Sequence, residues 1–536
     1  MRKLERLASP SVQGRHIAVL SMLVAAILLL PAAAVAKRPP KGGGGGGGGG
    51  TFSTTSTYVK NYANVVNGVQ YDVFPVDEQA TPDGGAVSLS NTYAPSPSGT
   101  GTGPGVSWLL KTSAVGAPQW EEEVGCQNTP PGAYSDTLSL QPTSDGGDVL
   151  AGGTIGCGAS SDCPFLSGLT CGLIERLDAA GDLEWSRVYS VGVNGTEFDS
   201  ITPTRDGGFV AVGSATDANH DLGGLVVKLD GAGNVQWQRV LGPTGSSQVY
   251  LHAVRQTSDG GYIAVGQLHD GTTTNYGVEL ESALAVKLDA VGNVSWLHAY
   301  NDVGSDGKIS AALQAFDVVQ TADGGYALGG DWGQAPLLGE CCSGGLLLRL
   351  APDGSIRSQT AYSGGVYCFD NGYSETCASI GGVIYSLHQT ADGGFLLAGD
   401  ANLELRDEVP LVPWLAKVDS SGAIGWQEQD YQVNSSTGRP LSEDFASSAL
   451  TPEGLLAVGR TENYGNGLGE LLGVQTDANG AVGTCSQVHP GSPLSPVDPG
   501  LTELTPDITV AAPPVSQTPA AATTLATSTT ATLAQC

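Results

Sequence analysis

Between residues 57 and 485 apolar positions recur with a period of two, in short runs broken by Asp, Gly, Asn and Ser. The stretch "HAVRQTSDGGYIAVGQ" (residues 252–267) is typical: an alternating run, a polar reversal ending in Asp-Gly-Gly, then a second alternating run. Period-two alternation marks a half-buried strand. Asp-Gly-Gly suits the reversal, because Asp can bond its own backbone and Gly accepts a positive φ. The phrase returns at Asp83, Asp145, Asp206, Asp259, Asp323 and Asp392, and "LTPEGLLAVG" puts Glu453 at a seventh equivalent place. Those positions are 62, 61, 53, 64, 69 and 61 residues apart. Each is followed by a second phrase of the form "LAVKLDAVGNVSWLHAY", in most units with an Asp-x-x-Gly turn. Each unit therefore reads as four strands: A before Asp-Gly-Gly, B after it, C at "LAVKL" and D around the Trp. Seven four-stranded units of about 60 residues predict an all-β fold, a seven-bladed β-propeller of antiparallel blades over residues 57–485.

A closed ring needs a closing device, since open sheet edges template aggregation. "TYVKNY" (57–62) copies the strand-D spacing of "SWLHAY", with Tyr58 at the Trp place and Tyr62 at the Tyr place. It is expected to pair with "ELLGVQT" of the last unit, in preference to the "GAVGTCSQ" stretch near Cys485. The once-per-unit Trp (Trp120, Trp185, Trp237, Trp296 and Trp426) reads as packing between blades. The bases at one strand-C position (Lys111, Arg176, Lys228, Lys287, Arg349 and Lys417) read as partners of nearby acids. The unit "S-x-x-x-T-x-DGG-[FY]-x-x-x-G … VKLD-x-x-GN-V-x-W-x-x-x-Y" resembles the delta-sixty type repeat of exported bacterial and archaeal propeller proteins. That resemblance covers about residues 58–485, and it implies a fold and a secreted or cell-surface address but no reaction.

The two ends differ from this body. Residues 1–36 carry a basic start, a long apolar run and a small-x-small finish at Ala34-Val35-Ala36, the features of an export signal cut before Lys37. A membrane enters only if that segment stays uncut. Residues 37–56 include nine consecutive glycines and are expected to be a flexible linker. Residues 486–536, rich in Pro, Thr, Ala and Ser, are expected to be a low-complexity disordered tail.

Charge then narrows the partners. The chain carries 53 acidic against 23 basic residues, a formal charge of −30, which repels phosphate backbones and disfavours nucleic acid. Ten cysteines in an exported chain point to disulfides. Two quartets fall in long loops, Cys126, Cys157, Cys163 and Cys171 in one and Cys341, Cys342, Cys368 and Cys377 in the other, with two bridges and three connectivities open for each. Cys485 and Cys536 remain as a pair tying the tail back.

No nucleophile elbow, zinc helix or phosphate loop is present, so a catalytic site is not expected. No cofactor is required, although Asp217, Asn219 and Asp221 have the alternating oxygens of a calcium loop. The alternative reading is a periplasmic quinoprotein-like oxidoreductase. It rests on the phrase "LDAAGDLEW" and the adjacent Cys341-Cys342, but lacks that family's Thr-Gly docking residues and eighth blade. All length variation between units falls in the D–A and B–C loops, which emerge on one face. A protein or glycan ligand is therefore expected on that long-loop face, with Trp332, Tyr367, Phe369 and Tyr373 as contact residues and the chain a monomer.

Overall fold

The computed structural model describes residues 58–477, apart from several connections between strands, and seven short segments between residues 489 and 533. The fold is an all-β, seven-bladed propeller. Blade 4 shows how one unit is made: strand A is Gln248–Gln256, B is Tyr262–Thr273, C is Glu279–Leu288 and D is Val294–Asn301, each antiparallel to the next.

Every residue of the Asp-Gly-Gly signature has a separate task. Gly260 sits at φ +87°, a conformation that costs other residues heavily. Gly261 is small for another reason, since a Cβ there would lie 2.2 Å from the Leu288 carbonyl oxygen on strand C. The Asp259 carboxylate accepts from the Thr257 hydroxyl and from the Gly261 amide at 2.9 Å, and pairs with Lys287 at 3.0 Å. Lys111, Arg176, Lys228 and Lys417 meet Asp83, Asp145, Asp206 and Asp392 in the same way. Arg349 reaches Asp323 at 3.7 Å, with Arg357 closer. The Thr143 hydroxyl and Arg176 hold the Asp145 pKa down at about 2. In the closing blade Gln475 replaces the base and donates to the Thr476 carbonyl at 2.8 Å.

The seven A strands are Asp72–Ala80, Tyr134–Pro142, Asn194–Pro203, Gln248–Gln256, Ala311–Gln320, Glu375–Gln389 and Glu443–Leu450. Each touches the A strand of the blade before and the blade after, which makes them the closed inner ring. Blades are joined by the strand-D aromatics. Trp185, Trp237 and Trp296 meet Phe209, Tyr262 and Tyr326 of the following blade at steep angles, with ring centroids 6.2, 5.6 and 5.9 Å apart. Tyr189, Tyr300 and Tyr362 are buried and donate to the carbonyls of Gly233, Gly354 and Gly422 in the next blade's C–D turn.

The same latch closes the ring. The N-terminal strand Tyr58–Val66 lies against Glu470–Gln475 as strand D of blade 7, with Tyr58 opposite Gln475 and Tyr62 opposite Leu471. Elsewhere the Trp stands opposite the strand-C base, as in Lys228 with Trp237, so Tyr58 occupies the Trp register. Tyr62 donates to the Gly116 carbonyl of blade 1 at 2.7 Å, which ties the last blade to the first.

Beyond residue 485 the backbone departs from the expectation drawn from composition. His489–Pro490, Ser495–Val497, Thr502–Leu504, Ile508–Ala511, Val515–Pro519, Ala522–Leu525 and Ser528–Leu533 are strands. They pair antiparallel with the D strands of blades 6, 5, 4, 3, 2, 1 and 7 in turn. The physical reason lies in what composition averages away. Runs such as "ITVA" and "VSQT" are short and β-branched, and prolines are tolerated on an outermost strand. Pairing also covers the D-strand edges that a bare ring would leave open.

Candidate functional site

Strand A carries a β-bulge at one place in every blade. In blade 4, Leu251 pairs with Gly266 and Ala253 with Val265, so His252 is the extra residue. The counterparts are Val76, Leu138, Asp199, Phe316, Tyr385 and Ala446. The final glycine of the repeat signature makes room for it. A Cβ on Gly266 would lie 2.0 Å from the Tyr250 carbonyl oxygen, and one on Gly399 would lie 1.8 Å from that of Val383. Blade 1 has Ser90 at this place and keeps the bulge. A bulge re-aims the extra side chain out of the alternation that buries its neighbours.

Because the A strands form the inner ring, the seven extra residues come together around its axis. Asp199 Oδ2 lies 2.9 Å from His252 Nδ1. The His252 and Phe316 rings are 5.6 Å apart, and those of Phe316 and Tyr385 are 5.5 Å apart. Four consecutive blades thus give a continuous arc of carboxylate, imidazole, phenyl and phenol. Val76, Leu138 and Ala446, all aliphatic, hold the remaining places.

In two blades an aspartate after the bulge fastens the ring. Asp77 accepts from the Leu140 amide of blade 2 at 2.8 Å and from the Ser447 hydroxyl of blade 7 at 2.8 Å. Asp317 accepts from Arg255 at 2.9 Å and from the Leu387 amide at 3.1 Å. The arc therefore stands on a rigid support.

A chain of polar groups leads from the arc toward the long-loop ends of the strands. His252 Nε2 lies 3.2 Å from the Gln267 amide, which donates to His269 at 2.8 Å. His269 is 3.3 Å from Glu281, whose other oxygen accepts from the Gln314 side chain. The backbone N–H of Gln314 then donates to Asp331 at 3.0 Å. Burial, reinforced by the charge of Glu281, pushes the Asp331 pKa up to about 7. Burial and the nearby charges of Asp199 and Asp136 push Glu197 up to about 8. Hydrogen-bonding groups of this kind beside flat aromatic faces can hold hydroxyl groups and the apolar side of a ring together.

The expected contact residues are placed differently. Trp332 is a correction: it is 5% exposed and lies in the core between blades 4 and 5, packed with Leu313, Leu328 and Leu346. The reason is that strand B of blade 5 runs to Gln334, so Trp332 continues the buried face of Leu328 where a loop was expected. Tyr367 and Phe369 lie in a hairpin extending the connection between blades 5 and 6, opposite Ala378 and Thr376. Cys368 stands directly opposite Cys377 in that hairpin, and Cys171 is disulfide-bonded. Tyr373, Cys157, Cys163, Cys341, Cys342, Cys485 and Cys536 lie outside the described residues, as do Asp217, Asn219 and Asp221. Among the described residues no group of three or more His, Cys, Asp and Glu is placed to hold a metal ion.

Sequence reasoning missed Asp199, His252, Phe316 and Tyr385. The signal is nevertheless in the chain, because each stands seven residues before the acid of its turn. That column reads Val, Leu, Asp, His, Phe, Tyr, Ala across the seven units, while the turn beside it hardly changes.

No family model matches this chain, and no curated protein matches it. Among solved structures it is similar to an exotype rhamnogalacturonan lyase, YesX, at 11% identity and a TM-score of 0.26, over 75% of this chain and 89% of that one. The all-β seven-bladed propeller rests on the strand pairing described above.

Proposed function

We propose that this protein is an exported β-propeller, secreted or held at the cell surface, that binds a glycan at the long-loop end of its central channel. The observation that carries this reading is the arc Asp199, His252, Phe316 and Tyr385, four dissimilar side chains brought into contact by a backbone device that every blade repeats. Aromatic faces suit the apolar side of a sugar ring, and carboxylates and amides suit its hydroxyls. The negative chain favours neutral or cationic sugars over polyanions. Disulfides in the surrounding loops, including one between Cys368 and Cys377, limit the entropy that those loops lose on binding.

The test is calorimetric titration of the mature chain with neutral and acidic oligosaccharides. His252→Ala and Phe316→Leu are expected to weaken binding by about tenfold or more each; Phe316 is buried, so the unfolding temperature of its variant is expected to fall and is measured beside the affinity. Binding that survives both changes but disappears when the hairpin around Tyr367 is shortened would move the site from the channel to the loops.

A further inference from the structure

One face of each A strand lines the channel, and that face is not equally open along its length. In blade 4 Tyr250, His252 and Arg255 are partly exposed, whereas Ala253 among them is buried. The places that match Ala253 carry Ser139, Ser200, Asp317, Ser386 and Ser447, all buried as well, and the partly buried Asp77. Access therefore fails in the middle of the channel and returns at its two ends.

The side chains of this waist bond round the ring. Ser139 accepts from the Ile201 amide of blade 3 at 3.2 Å, as Asp77 and Asp317 do from the Leu140 and Leu387 amides. Just beyond, on the tight-turn side, Arg255 reaches Asp317 of blade 5 at 2.9 Å. Burial raises the Asp77 pKa, and the Arg255 charge opposes that rise from three blades away. Burial lowers the His388 pKa, and the same charge, two blades away, lowers it further. To touch blade 5 and act on blades 1 and 6 as well, the guanidinium stands near the axis. His388 Nε2 lies 2.9 Å from the Ser448 carbonyl of blade 7, which fixes the wall opposite. The tight-turn end is thus stopped, and the arc is the floor of a pocket with one mouth.

We propose that this pocket takes the end of a glycan chain and excludes its interior. The inference rests on the glycan reading above and adds which part of the chain is recognised. An interior unit has a neighbour on each side, and with no exit through the waist both would have to leave by the same mouth. A terminal unit has a single neighbour. It stands on the arc while that neighbour meets a second tier, two places nearer the long loops, formed by Asp136, Glu197, Tyr250 and Gln314. There the Asp136 carboxyl accepts from the Tyr93 hydroxyl at 2.9 Å, and the Tyr250 and His269 rings are 5.4 Å apart. Two residues of extended strand span about 7 Å, so the two tiers serve successive units of one chain.

The test counts ends. Mature full-length chain is titrated calorimetrically with linear chains of glucose, mannose, galactose and N-acetylglucosamine, each at several lengths. For every sugar that binds, the stoichiometry is expected to stay at about one protein per chain while the chain is lengthened about tenfold. Stoichiometry that grows with chain length would overturn end recognition and leave glycan binding standing. Absence of binding to every chain would overturn both.

Discussion

The tight-turn end and the channel arc are built from the same seven repeats, and they use the repetition in opposite ways. At the turns almost every blade has the same Thr, Asp, two glycines and strand-C base, and each group satisfies a need of the backbone. Seven residues upstream the backbone is equally constant, since every A strand bulges, but no two blades put the same side chain there. Within one chain the repeats thus act as internal controls. A residue that recurs at a fixed place answers to the fold. A place that is fixed while its residue changes is free for something else.

The sharpest way to break this contrast is to attack the bulge itself. Gly266→Ala drives a methyl group into the Tyr250 carbonyl and is expected to cost about 3 kcal/mol, read as a lower urea midpoint. An unchanged midpoint would mean that the glycine does not enforce the bulge.

Titration separates the turn carboxylates from the buried ones. The turn aspartates Asp83, Asp145, Asp206 and Asp259 have pKa values lowered to about 2, so their contribution is present above pH 4 and is lost as pH falls toward 2. All four side chains are well exposed, and solvent screening keeps that contribution small. Glu78, Glu175 and Glu197 are raised by burial to about 8, 7 and 8. These groups are protonated more readily folded than unfolded, so stability falls as pH rises from about 4.5 to 8. Thermal stability is expected to peak near pH 4 to 5, and a peak above pH 7 would contradict these assignments.

A smaller effect tests the seam. Tyr62→Phe removes the hydroxyl that bonds Gly116 and should cost about 1 kcal/mol, similar to Tyr300→Phe at the internal boundary between blades 4 and 5. A much larger loss at Tyr62 would show that the closing seam is weaker than the others.

Much of the architecture was legible in the sequence. Period-two runs and turn residues define the blades, and the spacing of Tyr58 and Tyr62 foretold the strand that closes the ring. The arc was harder to read. A bulge reverses the alternation by which inward and outward positions are judged, so His252 and Phe316 pass for ordinary strand residues. Trp332 failed for a different reason: strand B runs to Gln334, and the equivalent residue Leu268 also lies inside its strand, so the place belongs to the sheet where a loop was expected. The outer strands beyond residue 485 were hidden because they are only two to six residues long, shorter than any window in which alternation can be counted.

The closing strand also sets the order in which the molecule can be finished. Tyr58–Val66 lies early in the chain, yet its partner Glu470–Gln475 lies near the end of the ring. During synthesis the edge that this strand offers to Glu470–Gln475 must wait while six blades fold behind it. A chain interrupted anywhere before residue 470 would carry an exposed, sticky edge at its N-terminal end. Completion of the ring therefore reports that synthesis has passed Gln475.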